Sequence, residues 1–306
     1  MMKKIRAFFD ARDVLEVETP LISHCSTTDP HLDSLATRFR EQDCYLNTSP
    51  EYAMKRLLAQ WQQPIYQICK AFRDDELGPN HNPEFTMLEW YRPGYDMMRL
   101  MAEVADLVRN LFDQAEAEPV FEYLSYQQAF QNVTGIDPHH ISAEQCFNYC
   151  VANHVEVPQG LRPVDDVNHW LDWLLTQQVL PAFNRSGFTF LYDYPAAQCA
   201  LAKIESGLDG TSVAKRFELF YGEVELANGF YELTDADEQL SRFCRENEER
   251  QYIGKKASNI DENFIDALRS GLPDCSGVAM GIDRLIMVST GAERIDQVLS
   301  FAWDRS

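Results

Sequence analysis

An α+β fold built on an antiparallel sheet is predicted by three features of the 306-residue sequence. Helix-like and strand-like runs are mixed, without the regular βαβ alternation of a doubly wound sheet. Two β-rich runs, Pro64 to Arg73 and Phe85 to Tyr91, are separated by the polar stretch Asp74 to Pro83, rich in Gly, Pro and Asn, and read as antiparallel strands joined by a long loop. The dipeptide Asn228-Gly229, between Glu225 and Glu232, is a turn signal for a second hairpin.

The elements follow in order. Lys3 to Arg12 spaces Ile5, Phe8 and Phe9 as a helix does, and Val14 to Glu18 is a short strand ending at Thr19-Pro20. Tyr45 to Asn47 is a strand feeding a helix with Ser49 as cap, Pro50 at its first position, Glu51 in the first turn and Met54, Leu57, Leu58 and Trp61 on its apolar face. Asp96 caps an amphipathic helix through Leu111, and Ala115 to Pro119 is an acidic break. A variable middle, 120–185, carries Trp170, Trp173 and Leu174 as a helical core stripe. Phe188 to Tyr192, Arg216 to Leu226 and Gly229 to Leu233 are further strands. Asp235 to Tyr252 is a charged helix, and Asn263 to Arg269 a helix stopped by Gly271. Gly277 to Thr290 closes the pattern, with Arg284 opening the terminal helix.

Composition narrows the function. With 48 acidic against 27 basic residues the formal charge is −21, which repels phosphate backbones and argues against stable tRNA or DNA binding. A small anionic ligand stays compatible, because a few buried arginines and a divalent metal reverse the local field. The 45% hydrophobic content suits a packed core. No secretion signal or membrane-length apolar run is readable, so a soluble, cytoplasmic protein is expected. Eight cysteines are scattered without a C-x-x-C pair, which reads as reduced, mostly buried thiols rather than a zinc knuckle or disulfide framework. The P-loop, strand-linked G-x-G-x-x-G, G-x-S-x-G and H-E-x-x-H signatures are all absent.

Three clusters can carry chemistry. The first is Phe72-Arg73-Asp74-Asp75-Glu76 followed by His81-Asn82-Pro83-Glu84-Phe85 through Tyr91. Alternation puts Phe85, Met87, Glu89 and Tyr91 on one strand face, and an arginine ending the partner strand can grip a phosphate by its fork while an inward Glu receives an ammonium group. The second runs from Glu223 to Leu233, where Glu225 and Glu232 offer two carboxylates to one hard divalent cation. The third, Gly277 to Arg284, has small residues at 277, 279 and 281 that leave room for a ligand against the backbone. Taken singly, each is equally a polar sheet edge, a hairpin with solvated glutamates or a loose glycine pattern.

Taken together and in this order, the clusters resemble motifs 2 and 3 of the class II aminoacyl-tRNA synthetases, with Val17-Glu18-Thr19-Pro20 matching the end of motif 1. The strings HNPEFTMLEWY and ELANGFYELTDADEQ are most similar to the lysyl subgroup. Leu46 to Leu57, Gln67 to Tyr91 and Gly271 to Ala279 resemble the stand-alone lysyl-synthetase paralogues that modify elongation factor P. The resemblance implies one class II catalytic domain over residues 1–306, with 120–185 as a variable insertion and no anticodon-binding domain. It implies a homodimer built through motif 1, with elongation factor P as acceptor and ATP, Mg²⁺ and lysine or β-lysine as small molecules.

It also implies roles. Arg73 and Arg284 would be catalytic, Arg73 holding the α-phosphate and the substrate carboxylate. Asp74, Asp75, His81 and Asn82 would contact ATP, Phe85 would stack on adenine opposite Arg284, and Glu225, Leu226 and Gly281 would lie in the same nucleotide site. Ser49, Pro50, Glu51, Asn228, Glu232 and Ala279 would line the amino-acid pocket, with Glu89 and Tyr91 receiving an amino group. Glu225 and Glu232 would hold Mg²⁺, or Glu232 would instead meet the amine. Ala279 stands where lysyl synthetases have Gly, and one methyl in a tight pocket discriminates by about 1 to 3 kcal/mol, here toward β-lysine over α-lysine. Asp75, one methylene shorter than Glu, and Asn80, in place of a basic residue, depart from the pattern. A minimal lysyl-tRNA synthetase and a catalytically inactive regulatory paralogue are the competing readings.

Overall fold

The computed structural model describes residues 1–112, 118–207 and 210–306. Residues 115–117 of the expected acidic break therefore lie outside the described residues. In chain order the elements begin with α1 (Met2–Asp10), β1 (Leu15–Glu16), β2 (Ile22–Ser23), β3 (Ala36–Phe39), β4 (Gln42–Leu46), α2 (Glu51–Trp61), β5 (Ile65–Phe72), β6 (Glu84–Pro93) and α3 (Met97–Leu111). There follow β7 (Phe121–Ser125), α4 (Tyr126–Thr134), α5 (Ala143–Ala152), α6 (Val167–Leu174), β8 (Phe188–Pro195), β9 (Ile204–Ser206), β10 (Ser212–Tyr221) and β11 (Val224–Tyr231). The chain continues through α7 (Ala236–Tyr252), α8 (Glu262–Gly271), β12 (Cys275–Gly281) and α9 (Ile282–Thr290).

Two compact units result. The first comprises Met1–Glu116 and Tyr231–Ser306, the second Ala117–Phe230. In the first unit the strand order is β1-β5-β6-β12, beside a small β2-β4-β3 sheet. Only β1 runs parallel to its neighbour; β5, β6 and β12 are antiparallel, as expected. One face is covered by α1 and α3. Phe9 stacks on Tyr66 at 4.4 Å and meets Trp90 edge-on, and Trp90 Nε1–H donates to Glu103 at 3.2 Å. The even-numbered residues Leu88 and Trp90 are thereby spent on core, which leaves the odd-numbered face of β6, with Glu89 and Tyr91, for polar work. Asp96 caps α3 through its bond from the Arg99 N–H at 2.8 Å.

In the second unit the order is β11-β10-β8-β7, with β9 beside β10. Tyr126, Phe130, Trp170, Leu171, Leu174 and Phe220 form its core. The α+β reading holds in both units. No helix among the described residues is long and apolar enough to cross a membrane. All eight cysteines are free thiols, and Cys44, Cys146, Cys150 and Cys275 are buried.

Local expectations need correcting. Asn228-Gly229 is not a turn: both residues lie inside β11, which runs unbroken from Val224 to Tyr231. The hairpin falls earlier, dividing the expected strand Arg216 to Leu226 at Gly222, whose φ of 54° is the left-handed value a tight turn demands. Sheet pairing on β10 outweighs the Asn-Gly signal. Glu225 and Glu232 are thus not on adjoining strands of a hairpin. In α6 the core stripe is Trp170, Leu171 and Leu174; Trp173 is only half-buried, its Nε1–H donating to Glu156 O at 2.8 Å. The first residue of α2 is Glu51, with Pro50 at the cap position; Ser49 Oγ still serves the helix end, accepting the Glu51 N–H at 3.0 Å.

Candidate active site

The odd-numbered face of the first unit's sheet is assembled in rows. Ile65 pairs with Tyr91 and Tyr91 with Gly277; Gln67 pairs with Glu89 and Glu89 with Ala279; Cys69 pairs with Met87 and Met87 with Gly281. Side chains directly opposite one another share a face, so Glu89, Tyr91 and the small residues 277, 279 and 281 line one floor. The small residues play two different parts. A Cβ on Gly277 would lie 2.5 Å from Glu232 Oε1 and closer still to the Tyr91 ring, so Gly277 exists to let Tyr91 and Glu232 approach. A Cβ on Gly281 would only touch the Arg284 side chain at 3.8 Å, an ordinary contact, so no protein group demands a glycine there.

Helix α2 adds Glu51 and Lys55 to the carboxylates of this floor. Ser49 Oγ–H donates to Glu89 Oε2 at 2.9 Å, and the Tyr91 hydroxyl donates to Glu89 Oε1 at 2.6 Å. Lys55 Nζ lies 2.6 Å from both Glu51 Oε1 and Glu232 Oε2. Burial, reinforced by the charge of Glu51, pushes Glu89 up to about 8, and burial pushes Glu232 up to about 7 against the pull of Lys55. The Lys55 ammonium is held above its ordinary value, because the two carboxylates outweigh burial. Tyr91 is raised well above the ordinary phenol value by burial and by Glu89, and so remains a donor.

At the other end of β5 and β6 the residues suit a nucleotide. The Arg73 guanidinium lies over the Phe85 ring at 5.1 Å, its Nη1 is 3.3 Å from Glu76, and its buried Nε has no partner among the described residues. Arg284, in the first turn of α9, donates to Asn80 O at 3.1 Å and to His81 Nε2 at 2.7 Å. His81 is lowered by burial and by Arg284, which keeps it a neutral acceptor. Asp74 and Asp75 are exposed on the connecting loop, Asp75 at φ 61° with its N–H bonded to Asp74 Oδ1. Asn82 is spent internally: Nδ2 donates to Glu84 O at 2.6 Å and Oδ1 accepts the Trp303 N–H at 3.0 Å, which pins the loop.

Glu225, Leu226 and Asn228 belong to the second unit. Opposite them Leu219 pairs with Ala227 but Phe220 with Glu225, so Leu226 is an extra residue. This bulge resets the alternation: Glu225 faces with Phe220 and Asn228 with Glu218, two residues on the same side of β10. Leu226 itself is buried. Asn228 Oδ1 is buried with no partner among the described residues. On that same side Arg216 forms an ion pair with Glu218, and Glu225 adds its charge to both.

Sequence reasoning missed four side chains here. Lys55 is fully buried between two carboxylates; its one signal was the i,i+4 spacing to Glu51. Gln67, buried beside Glu89 with no partner for its Oε1 among the described residues, reads in sequence as an ordinary strand residue. Arg216 and Glu218 lie two apart on a strand, a pattern shared by many solvated pairs.

The description "tRNA synthetases class II (D, K and N)" matches residues 1–305. The chain belongs to this family and is an ATP-dependent ligase with a class II synthetase domain. More narrowly, it is similar to proteins from Salmonella paratyphi B, Salmonella schwarzengrund and Salmonella arizonae, each called elongation factor P-(R)-beta-lysine ligase. Identity is 47% in all three, over 100% of this chain and 94% of each relative.

Proposed function

We propose that this enzyme activates (R)-β-lysine, and less well α-lysine, as an adenylate and transfers it to the ε-amino group of a lysine on elongation factor P. The observation that carries the reading is the buried group of Glu51, Glu89 and Glu232 beside Ala279, a pocket floor built to receive ammonium groups. Relatives at 47% identity over the whole chain support it. In the first step a substrate carboxylate oxygen attacks the α-phosphorus of ATP, and pyrophosphate leaves. Arg73 and Arg284 counter charge growing on the phosphate, Phe85 offers its ring to adenine, and Asp74, Asp75, His81 and Asn82 shape the nucleotide side. Gly281, with only the Arg284 side chain near its missing Cβ, lets a nucleotide edge approach the backbone beside Arg284. In the second step the lysine amine of the acceptor attacks the adenylate carbonyl, AMP leaves, and a proton is lost as the amide forms.

In the second unit Glu225 and Asn228, whose buried Oδ1 has no partner among the described residues, are oxygen donors of the kind Mg²⁺ takes. Mg²⁺ bound by these oxygens would supply neutralisation of phosphate charge. The ion pair to Lys55 favours Glu232 as an amine-pocket carboxylate and Glu225 as the metal-facing one. Exposed Leu15 and Ile22, which flank the segment matching motif 1, support a homodimer, which we place in the cytoplasm.

The test supplies ATP, Mg²⁺, (R)-β-lysine, elongation factor P and lysine tRNA together. A gain of one lysyl unit in the intact mass of elongation factor P is the expected result. Acylated tRNA with unmodified protein would instead establish the minimal tRNA synthetase, and no product on either would leave the inactive paralogue.

The pocket also predicts pH dependence. Glu89 must ionise to receive an ammonium group, yet burial keeps it protonated up to about pH 8. Its native pKa lies above its unfolded one, so its proton favours the fold; this contribution is complete below the ordinary carboxylate range and fades as pH rises through about 8. Substrate binding must expel that proton. Lysine affinity is expected to rise about tenfold per pH unit between pH 7, above which Glu232 is ionised, and pH 8, and then to level off. Calorimetry in buffers of different ionisation enthalpy measures the released proton, and Glu89→Gln should flatten the profile. An affinity of the native enzyme that ignores pH counts against this reading.

A further inference from the structure

Lys55 is a lysine with 1% of its side chain exposed, and its ammonium contacts two carboxylates from different elements: Glu51 at the start of α2, and Glu232, just past β11. Glu232 is equally buried, and Glu51 is mostly so. The Tyr91 and Phe264 rings lie 6.0 and 5.9 Å from Nζ, so aromatic rings border the ammonium as well. An ammonium buried without a counter-ion is strongly disfavoured, and so are two carboxylates pressed together without a cation. The cluster is therefore stable only as a set. With Glu89 on the same floor, it holds three carboxylates and one fixed cation, a formal balance of −2 when all are ionised.

We infer that Lys55 is a positioning and specificity residue for amino-acid binding: it holds Glu51 and Glu232 together and cancels one of three carboxylate charges, leaving a pocket matched to a substrate with two ammonium groups. The inference rests on the assignment of this pocket to the substrate amines. A substrate with a single ammonium group leaves one buried carboxylate without a partner and is rejected on charge, whatever its shape. Without Lys55, Glu51 and Glu232 repel each other and lose their common anchor. Lys55 reaches the reaction only through these carboxylates.

The test is chemical rescue of Lys55→Ala, followed by amino-acid-dependent ATP–pyrophosphate exchange. The substitution removes three methylenes and the ammonium, the outline of n-propylammonium. The expected result is a KM for lysine raised about 100-fold with the KM for ATP within about 2-fold. Added n-propylammonium should restore at least about tenfold of the loss, saturably, while 1-propanol, the uncharged filler of similar shape, should not. Equal rescue by propanol, no rescue in a folded variant that binds ATP, or a parallel rise in both KM values would overturn the proposal. Lys55→Met keeps most of the stem and guards against failure of the alanine variant to fold. It should show the same split between lysine and ATP without rescue, and Lys55→Met with native lysine KM refutes the role. The native enzyme in the same assay separates the two levels of the argument: if it exchanges with norleucine as well as with lysine or (R)-β-lysine, the charge-matching role fails while the pocket assignment stands. If it exchanges with no diamino acid, the pocket assignment itself falls, and Lys55 with it.

Discussion

Replacing Arg73 by alanine is expected to lower amino-acid-dependent ATP–pyrophosphate exchange by about 10² to 10³-fold, the cost of removing one preorganised donor from a centre where charge develops. Arg73 follows β5, and its backbone N–H is fixed to Pro83 O at 3.0 Å. Its guanidinium is seated over Phe85, and its Nε is buried without a partner among the described residues. A donor held rigid but not satisfied is ready for an incoming oxyanion. The pair with Glu76 is about a quarter exposed and contributes little to stability, so the melting temperature should hardly move. Arg73→Lys keeps the charge but loses the planar fork, and should recover only a minor part of the rate. An Arg73→Ala enzyme with native exchange rates would remove this residue from the reaction.

Gly277→Ala should severely weaken the use of the amino acid while leaving nucleotide binding in place. The added methyl would overlap the Tyr91 ring and crowd Glu232 Oε1, groups fixed from opposite sides of the floor: Tyr91 by its bond to Glu89, Glu232 by Lys55. Overpacking of this kind costs about 1 to 3 kcal/mol in stability. Displacing two groups of the proposed amine pocket at once should raise the KM for lysine by more than about 100-fold. Gly281→Ala is the counterpart, because its methyl finds no protein atom within 3.4 Å. It should melt like the native protein and raise the KM for ATP by about tenfold, if that space is where the nucleotide lies against the backbone. Steady-state kinetics on the two variants, each varied against lysine and ATP, distinguish the amine end of the floor from the nucleotide end. A Gly277→Ala enzyme with unchanged lysine KM would refute the packing argument.

Much was legible in the sequence because periodicity and motif order are local properties. The pairing of β5 with β6 follows from two β-rich runs around a polar loop, and the alternation Phe85, Met87, Glu89, Tyr91 put the carboxylate and the phenol on one face, where the structure has them bonded. The cap at Asp96 follows from side-chain chemistry alone. The motif strings carried the family, which the match over residues 1–305 bears out. Tertiary structure decided whatever depends on partners distant in the chain. Asn228-Gly229 carries a strong turn signal, yet pairing along β10 holds it extended, since a ladder of sheet bonds outweighs one dipeptide's preference. The extra residue Leu226 turns Glu225 to the side of Asn228, a shift that no alternation rule foresees. Gly277 looks like Gly281 in sequence, but one is forced by Tyr91 and Glu232 while a methyl on the other would only touch Arg284. Lys55 reads as a solvated helix lysine until folding brings Glu232, 177 positions further along the chain, to its ammonium. A buried charge is defined by its surroundings, and those surroundings exist only once the chain has folded.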